Sequence, residues 1–540
     1  MYRKEDFVEA FGIDVPSNGP TRNLRIATTQ RGLCQGNRHN TLLSIAGLLR
    51  RLNYSLEDIQ DVALAVNSTF DVPEDEHVVR TQMQDVVTRY DPSDDFIPSE
   101  GGLADQFIKK HGQDFVYCDG LGGWQIWDGK RWVRDAANKA LMKVQETIRT
   151  LITQVKNAPF SEQRSKILNF LSRSETAARC KAILCLSQPY LAKSPDEFDR
   201  DRFLLNVGNG TLDLRTGTLR EHRREDYITK ITDIDYDPEA QCDLFEEFFA
   251  SILAGDPELI GFMKRALGYS LTGHISEQCW FVNYGIGSNG KTTLFNVVLN
   301  VLGEYGAQTP ADTFLAPMSD RIRNDLARLR GRRLIVASEP DASRRLDSSM
   351  IKAFTGGDRI TARYLYKEHF EYVPSGKLFL LCNHQPSVRA NDHGFWRRVR
   401  MIPFQVVITE GEEDKHLESK LEGEAPGILR WLVEGCLEWQ RSGLKPPRAV
   451  TRATRDYRDE MDVLGDFLTD PGLVIGKESV VPKADLYEHY AVRYCESKGL
   501  KPLSNVEFNR LMRAKGFETT QHNKERRKCW VGIGLVKPRP

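Results

Sequence analysis

The sequence predicts a multidomain α/β protein: an α-helical N-terminal domain, an α+β domain, a strand–loop–helix core, and a small basic domain of helices and strand at the C-terminus. Three observations predict it. The chain has 540 residues, more than one hydrophobic core can organise. An apolar run, Trp280 to Val282, leads into a glycine-rich turn, after which Leu294, Phe295, Val297, Val298, Val301 and Leu302 recur at helical spacing. Composition shifts at the acidic, Pro/Ser-rich stretch Asp91–Glu100, at Pro446-Pro447 and at Asp470-Pro-Gly472, which read as boundaries.

Bulk composition is that of a globular protein, 40% hydrophobic and 28% charged. Lys+Arg and Asp+Glu both number 75, so any nucleic-acid contact must come from local patches. Ten cysteines are scattered without a Cys-x-x-Cys pair, which argues against a zinc ribbon and fits a reducing compartment. The start, Met-Tyr-Arg-Lys-Glu-Asp, has no apolar signal core, and no apolar run is long enough to span a bilayer. The expectation is a soluble cytoplasmic protein without membrane contact, in the host cytoplasm if the source is viral.

Residues 1–90 read as a small helical domain. Asn40-Thr41 precedes one helical pattern, Ser55-x-x-Asp58 is a capping-box variant ahead of a second, and Pro73-Glu74 opens a third with Val78, Val79, Met83 and Val86. Residues 91–100 are a linker. The α+β domain spans 101–240, with strands at Phe115–Tyr117 and Trp124–Trp127, a hairpin turn at Asp128-Gly129, and helices over about 136–192. Short strands with glycine turns follow between Leu204 and Leu219. The core spans 241–405, beginning with a helix that carries Phe245, Phe248 and Phe249. A helical extension covers 406–470, including an amphipathic helix from Gly427 to Trp439. The last domain, 471–540, reads as helix, turn, helix and strand, with Ser504-x-x-Glu507 capping the second helix.

The core carries the chemistry. Gly285-x4-Gly290-Lys291-Thr292 sits between a strand and a helix N-terminus, where a phosphate-binding loop must sit. Gly285, Gly287, Ser288, Asn289 and Gly290 let backbone N–H groups close around phosphates. Lys291 places a charge on the β/γ-phosphates, and Thr292, followed by Thr293, offers a hydroxyl to Mg²⁺. The cofactors expected are ATP and Mg²⁺. A second strand, Leu334–Ser338, ends in Glu339, an acid at the edge of the strand beside the loop that could hold Mg²⁺ and polarise water; Asp341 is a weaker second acid. A third strand, Lys377–Cys382, ends in Asn383, whose amide could sense the γ-phosphate. In Phe395-Trp-Arg-Arg-Val-Arg400, three arginines cannot all be buried without anions, and Arg397 or Arg398 could act as an arginine finger on a neighbouring subunit. Two β-like runs flank Lys367-Glu-His369, a basic tip suited to a single strand's phosphates, although a solvated hairpin tip reads the same way.

These residues resemble the superfamily 3 helicases of viruses, phages and plasmids, above all the primase-helicase branch typified by the satellite-phage alpha protein and the poxvirus nucleoside triphosphatase. Gly285–Thr292 matches the family's loop, Glu339 its acid-ended strand, Asn383 its sensor, and Arg397-Arg398 its arginine pair before an apolar-Pro-Phe strand. Lys352, Gly356, Gly357, Asp358 and Arg363 resemble its Lys-x3-Gly-Gly-Asp element, which implies DNA contact by Lys352, Arg363, Lys367 and His369. Pro340 directly after Glu339 departs from members with two adjacent acids. Upstream, Trp124-x-x-Trp127-x-Gly129-x-x-Trp132 and Asn206-x-x-Asn209-Gly210-x-Leu212-Asp213 look like the domain preceding this helicase, and Gly36–Leu42 is similar to the start of a primase-associated helical domain.

The resemblance implies an AAA+-like P-loop ATPase core with a C-terminal winged-helix-like domain, forming hexamers that move 3′ to 5′ on single-stranded or forked DNA. Within 1–90, about 35 residues precede the helices, fewer than a primase-polymerase domain needs, so the primase is expected to be either lost or supplied by a separately encoded partner. The tail from Lys477 carries 14 Lys/Arg against 7 Asp/Glu, about +7, which suits duplex phosphates. Two other readings stay open: an ATP-switched DNA-binding initiator or loader, and a ring ATPase translocating DNA in defence or packaging.

Overall fold

The computed structural model describes residues 42–43, 45–47, 49, 55–68, 73–89, 97–157, 162–316, 324–338, 345–364, 368–388, 393–521 and 527–536. The expected cap at Asn40-Thr41, the Gly36–Leu42 motif up to Thr41 and the acidic linker at 91–96 lie outside these residues. The chain divides into two compact units: residues 1–200 with 223–229, and residues 201–222 with 230–540.

In the first unit, α1 (Leu56–Asn67) and α2 (Glu76–Arg89) bury Ile59, Val62, Val79 and Met83. The expected capping box forms: Ser55 Oγ accepts the Asp58 N–H at 3.2 Å, and Asp58 accepts the Ser55 N–H in return. After α3 (Glu100–His111) comes a three-stranded antiparallel sheet, β1 (Phe115–Cys118), β2 (Gly123–Trp127) and β3 (Trp132–Arg134), then α4 (Lys139–Asn157), α5 (Glu162–Ser174) and α6 (Ala177–Ser187). Trp127 pairs with Trp132 across the turn at Asp128-Gly129. Trp132 explains why residues 223–229 return to this unit: its indole N–H donates to Arg224 O at 2.9 Å and its ring stacks on Tyr227.

The second unit opens with an antiparallel sheet, β4 (Leu204–Val207), β5 (Gly210–Asp213) and β6 (Thr218–Arg220). The break between units falls at Asp201, ahead of the boundary expected near 240. Leu205, Val207, Leu212 and Leu214 share one core with Phe245, Phe249, Phe281 and Phe295. The asparagine motif is a brace here: Asn209 both donates to Tyr236 O and accepts from Tyr236 N, each at 3.0 Å.

Next come α7 (Asp243–Ile252), α8 (Pro257–Tyr269) and the central sheet. Its strands are β7 (Trp280–Tyr284), β8 (Gly306–Pro310), β9 (Leu334–Ser338), β12 (Lys377–Cys382) and β13 (Val399–Pro403); between β9 and β12 a hairpin of β10 (Ile360–Arg363) and β11 (His369–Tyr372) stands apart. The order across the sheet is β13-β7-β12-β9-β8, all parallel. Parallel strands covered on both faces read as unbroken apolar runs, as inner strands β9 and β12 do, whereas edge strand β8, Gly306-Ala-Gln-Thr-Pro310, does not. One layer holds α8, α9 (Lys291–Leu302), and, from further along the chain, the helix Ala425–Ser442; the other holds Ser348–Gly356 and His393–Trp396. In chain order the remaining helices are α10 (Asn324–Arg328), α11 (Ser348–Gly356), α12 (His393–Trp396), α13 (Leu417–Glu422), α14 (Ala425–Ser442), α15 (Arg448–Glu460) and α16 (Val463–Phe467). The α8–α14 contact is backbone-close: a Cβ on Gly268 would meet Cys436 N at 2.2 Å. Thr454 on α15 accepts the outward N–H of Met401 at 3.0 Å, so α15 closes the open side of edge strand β13.

The tail comprises β14 (Leu473–Pro482), α17 (Lys483–Glu488) continuing in π-helical turns to Cys495, α18 (Asn505–Ala514), β15 (Glu518–Gln521) and β16 (Lys528–Leu535), with sheet order β14-β16-β15. Phe508, Leu511, Met512, Trp530 and Ile533 fill its core. Ser504 Oγ accepts the Glu507 N–H as expected, whereas β14 departs from the helix–turn–helix–strand reading. Among the described residues no helix is long and apolar enough to cross a membrane.

Candidate nucleotide-binding and hydrolysis site

The glycine-rich loop runs from the end of β7 to the start of α9, residues 285–290. Its path demands small residues. A Cβ on Gly285 would lie 2.1 Å from Phe404 O, and Gly290, at φ +74°, would drive a Cβ to 2.5 Å from Ile252. Ser288 also takes a left-handed φ of 56°, so the backbone curls on itself. Asn289 is buried and its side chain donates to Ile286 O at 2.8 Å, closing the curl from inside. From outside, Ile408 N donates to Ser288 O at 2.7 Å. Lys291 is 5% exposed and its Nζ donates to Gly285 O at 2.8 Å, so the ammonium stands within the loop. Gly287 faces open space, Thr292 is exposed and Thr293 half-buried. An enclosed ammonium, curled backbone, a helix N-terminus and an exposed hydroxyl form a donor set that fits a triphosphate and Mg²⁺. Among the described residues no cluster of His, Cys, Asp or Glu could hold a metal by itself.

Sheet order decides which other residues face the loop. Cys382 pairs with Tyr284, so Asn383 is level with Gly285 on the adjacent strand, and it is exposed. The acid-bearing strand is not beside the loop, contrary to the sequence expectation: β12 lies between β7 and β9. Chain order did not reveal this, because parallel crossovers can skip a position. Glu339 itself, with Asp341, lies outside the described residues, as does Lys367.

The arginines sit at the opposite end of the sheet. Val399 pairs with Trp280, and Arg398 O accepts the Trp280 N–H at 2.9 Å. At ~3.3 Å per residue, β7 separates them from the loop by roughly 17 Å, beyond the reach of an arginine side chain. The three arginines are not all buried. Arg397 is exposed and meets Gln278 at 3.3 Å. Arg398 and Arg400 are half-buried on carbonyls, Gly394 O at 2.5 Å and Arg397 O at 2.9 Å. Lys352 is half-buried on α11. Arg363 pairs with His369 across the β10–β11 hairpin, which leads into the N-terminal end of β12 and so stands at the arginine end rather than beside Lys291. Tyr364 stacks on Phe370, and Tyr372 OH donates to Leu326 O at 2.7 Å, fixing the hairpin on α10.

Sequence reasoning missed two buried cations at this end. Lys377 is 2% exposed; its Nζ donates to Thr272 O, to His274 O at 3.2 Å and to Ser375 O at 3.3 Å. Burial holds its pKa well below the usual lysine range. Arg333 donates to Leu271 O at 2.6 Å and Leu204 O at 2.7 Å. Together they satisfy carbonyls of the segment after α8. The available signal was a cation heading each apolar strand.

Residues 104–254 match the family model described as "D5 N terminal like", and residues 283–398 match a family of unknown function (DUF5906). "Putative helicase L207/L206" of Acanthamoeba polyphaga mimivirus is 31% identical over 299 residues, covering 50% of this chain and 31% of that protein. "Putative primase C962R" of African swine fever virus (isolate Tick/Malawi/Lil 20-1/1983) is 27% identical over 232 residues, covering 42% of this chain and 24% of that protein. The A form apo structure of the NrS-1 C terminal region superposes with a TM-score of 0.44 at 10% identity, over 80% of this chain and 98% of that one. The matched stretch spans 31% and 24% of the length of those two curated relatives. By its D5 N-terminal-like stretch and its viral relatives, the chain is similar to the D5-like primase-helicases.

Proposed function

We propose that this chain is an ATP-dependent DNA helicase of the superfamily 3 type, working as a ring of identical subunits in the replication of a virus, phage or plasmid. The observation that carries the reading is the register that sets Asn383 level with a loop enclosing Lys291. Relatives named as helicase and primase support it. When bound, ATP supplies the transferable phosphoryl group and Mg²⁺ the charge neutralisation around it. Lys291 holds charge at the phosphates, Thr292 offers its hydroxyl to the metal, and Asn383 senses the γ-phosphate. Glu339 polarises the attacking water. Arg398, or Arg397, reaches a neighbour's nucleotide, since neither reaches the loop of its own chain. Lys352, Arg363, Lys367 and His369 track single-stranded DNA, with six subunits and 3′-to-5′ movement as the working assignment.

A second reading, an ATP-switched initiator or loader, is favoured by the basic tail alone. Hydrolysis and fork unwinding by purified protein separate the two. Lys291→Ala is expected to abolish both while leaving the fold intact by thermal melting. Unwinding that survives Lys291→Ala sinks the assignment; ATP-dependent duplex binding without unwinding selects the loader.

A further inference from the structure

Helix α15 carries Arg448, Arg452 and Arg455 at i, i+4 and i+7. All three are exposed and leave the side opposite the buried Val450, Ala453 and Tyr457. The helix runs beside edge strand β13 toward the loop-bearing end, where Tyr457 OH donates to Pro386 O at 2.5 Å. At ~1.5 Å per residue Arg448 lies about 9 Å below Thr454, and at ~3.3 Å per residue Arg398 lies about 10 Å below Met401. Since Thr454 and Met401 are bonded, the arginine row begins level with Arg398.

A different surface of the same unit has the opposite sign. Two residues past Ile408, which is tied to the phosphate loop, the chain reads Glu410-Gly-Glu-Glu-Asp414, and all four acids are exposed. Asp414 pairs with Lys420 at 2.6 Å, whereas Glu410 and Glu413 have no ion-pair partner among the described residues. The segment continues into α13, held near α9 by Asn300 donating to Glu422 at 2.8 Å.

We propose that the arginine row of α15 docks on the Glu410–Asp414 lip of a second copy of this chain, head to tail. Two different, complementary surfaces on one protomer generate a heterologous interface, the kind that closes into rings. The same contact carries Arg398 toward the neighbour's phosphate loop, because the row starts at its level and the lip starts beside that loop. A nucleic acid fits the row less well: Arg452 is already paired with Asp456 at 3.7 Å, and Asp459 and Glu460 are exposed at its end.

The proposal rests on the ring reading above, but its readout is assembly rather than hydrolysis. Native mass of the full chain, with ATP and Mg²⁺, is followed by sedimentation for wild type, Arg452→Glu/Arg455→Glu and Glu410→Arg/Glu413→Arg, with melting curves checking the fold. Each reversal should raise the concentration for half-assembly at least about tenfold. An equimolar mixture of the two should recover, because alternating copies restore opposite signs at every contact. Wild type that stays monomeric, a row reversal that assembles like wild type, or a mixture without recovery overturns the proposal. A row reversal that assembles normally but loses DNA affinity also overturns it and gives the row to DNA. Hydrolysis by Lys291→Ala decides the motor reading separately.

Discussion

Lys291 and Lys377 are both almost fully buried, and they show two uses of a buried ammonium. Lys291 stands in a loop with open space at Gly287, where an anion can enter. Lys377 is enclosed by carbonyls at the far end of the sheet, with the Tyr269 ring 4.7 Å away. Desolvation disfavours its charged form, so between its folded pKa and the ordinary value near ~10.4 the native state binds fewer protons than the unfolded chain. Stability from this residue is therefore present above that ordinary value and lost as pH falls through the folded pKa. Compared with Lys377→Met, wild type should gain in melting temperature as pH rises toward ~10. A difference between the two that is flat with pH would refute the account. Lys291 was legible because glycine spacing and a following helix single it out. Lys377 was not, because a lysine ahead of Leu-Phe-Leu-Leu looks like an ordinary flanking charge.

At the scale of elements, period and caps carried most of the reading. The Ser55 and Ser504 caps, the β2–β3 hairpin and the strand–loop–helix core all follow from local chemistry. Spatial order did not: nothing in the chain said that β12 would insert between β7 and β9, or that β13 would form an edge needing α15 to cover it. β14 escaped because its register shifts between Ile475 and Val480, breaking the alternation that marks a strand. The tail now offers a specific surface. α18 buries Phe508, Leu511 and Met512 and exposes Asn505, Val506 (82%), Arg510 and Arg513. Charge, exposure and a two-helix-plus-sheet setting suit duplex DNA. Arg510→Ala/Arg513→Ala should weaken duplex binding and lower the salt slope by about 2, read by anisotropy across a salt series. An unchanged slope would remove α18 from the DNA surface.

At the scale of the whole molecule, the chain passes between its two units three times, at 200/201, 222/223 and 229/230. The short return, 223–229, matters to the first unit: Trp132 bonds to Arg224 and stacks on Tyr227, and Thr229 N donates to Asp199 at 2.8 Å. Tyr227→Ala in the full chain should raise amide exchange in β2 and β3 and leave β7 unaffected; exchange that stays unchanged in both strands would show the return to be incidental. The interleaving also bears on biosynthesis. A ribosome that has released residues 1–200 has not yet supplied Tyr227, and by the time it does, β4 to β6 of the other unit have already emerged. The first unit is therefore completed only after the second has begun, and a recombination or expression boundary drawn at residue 200 would separate a fold from its own last contact.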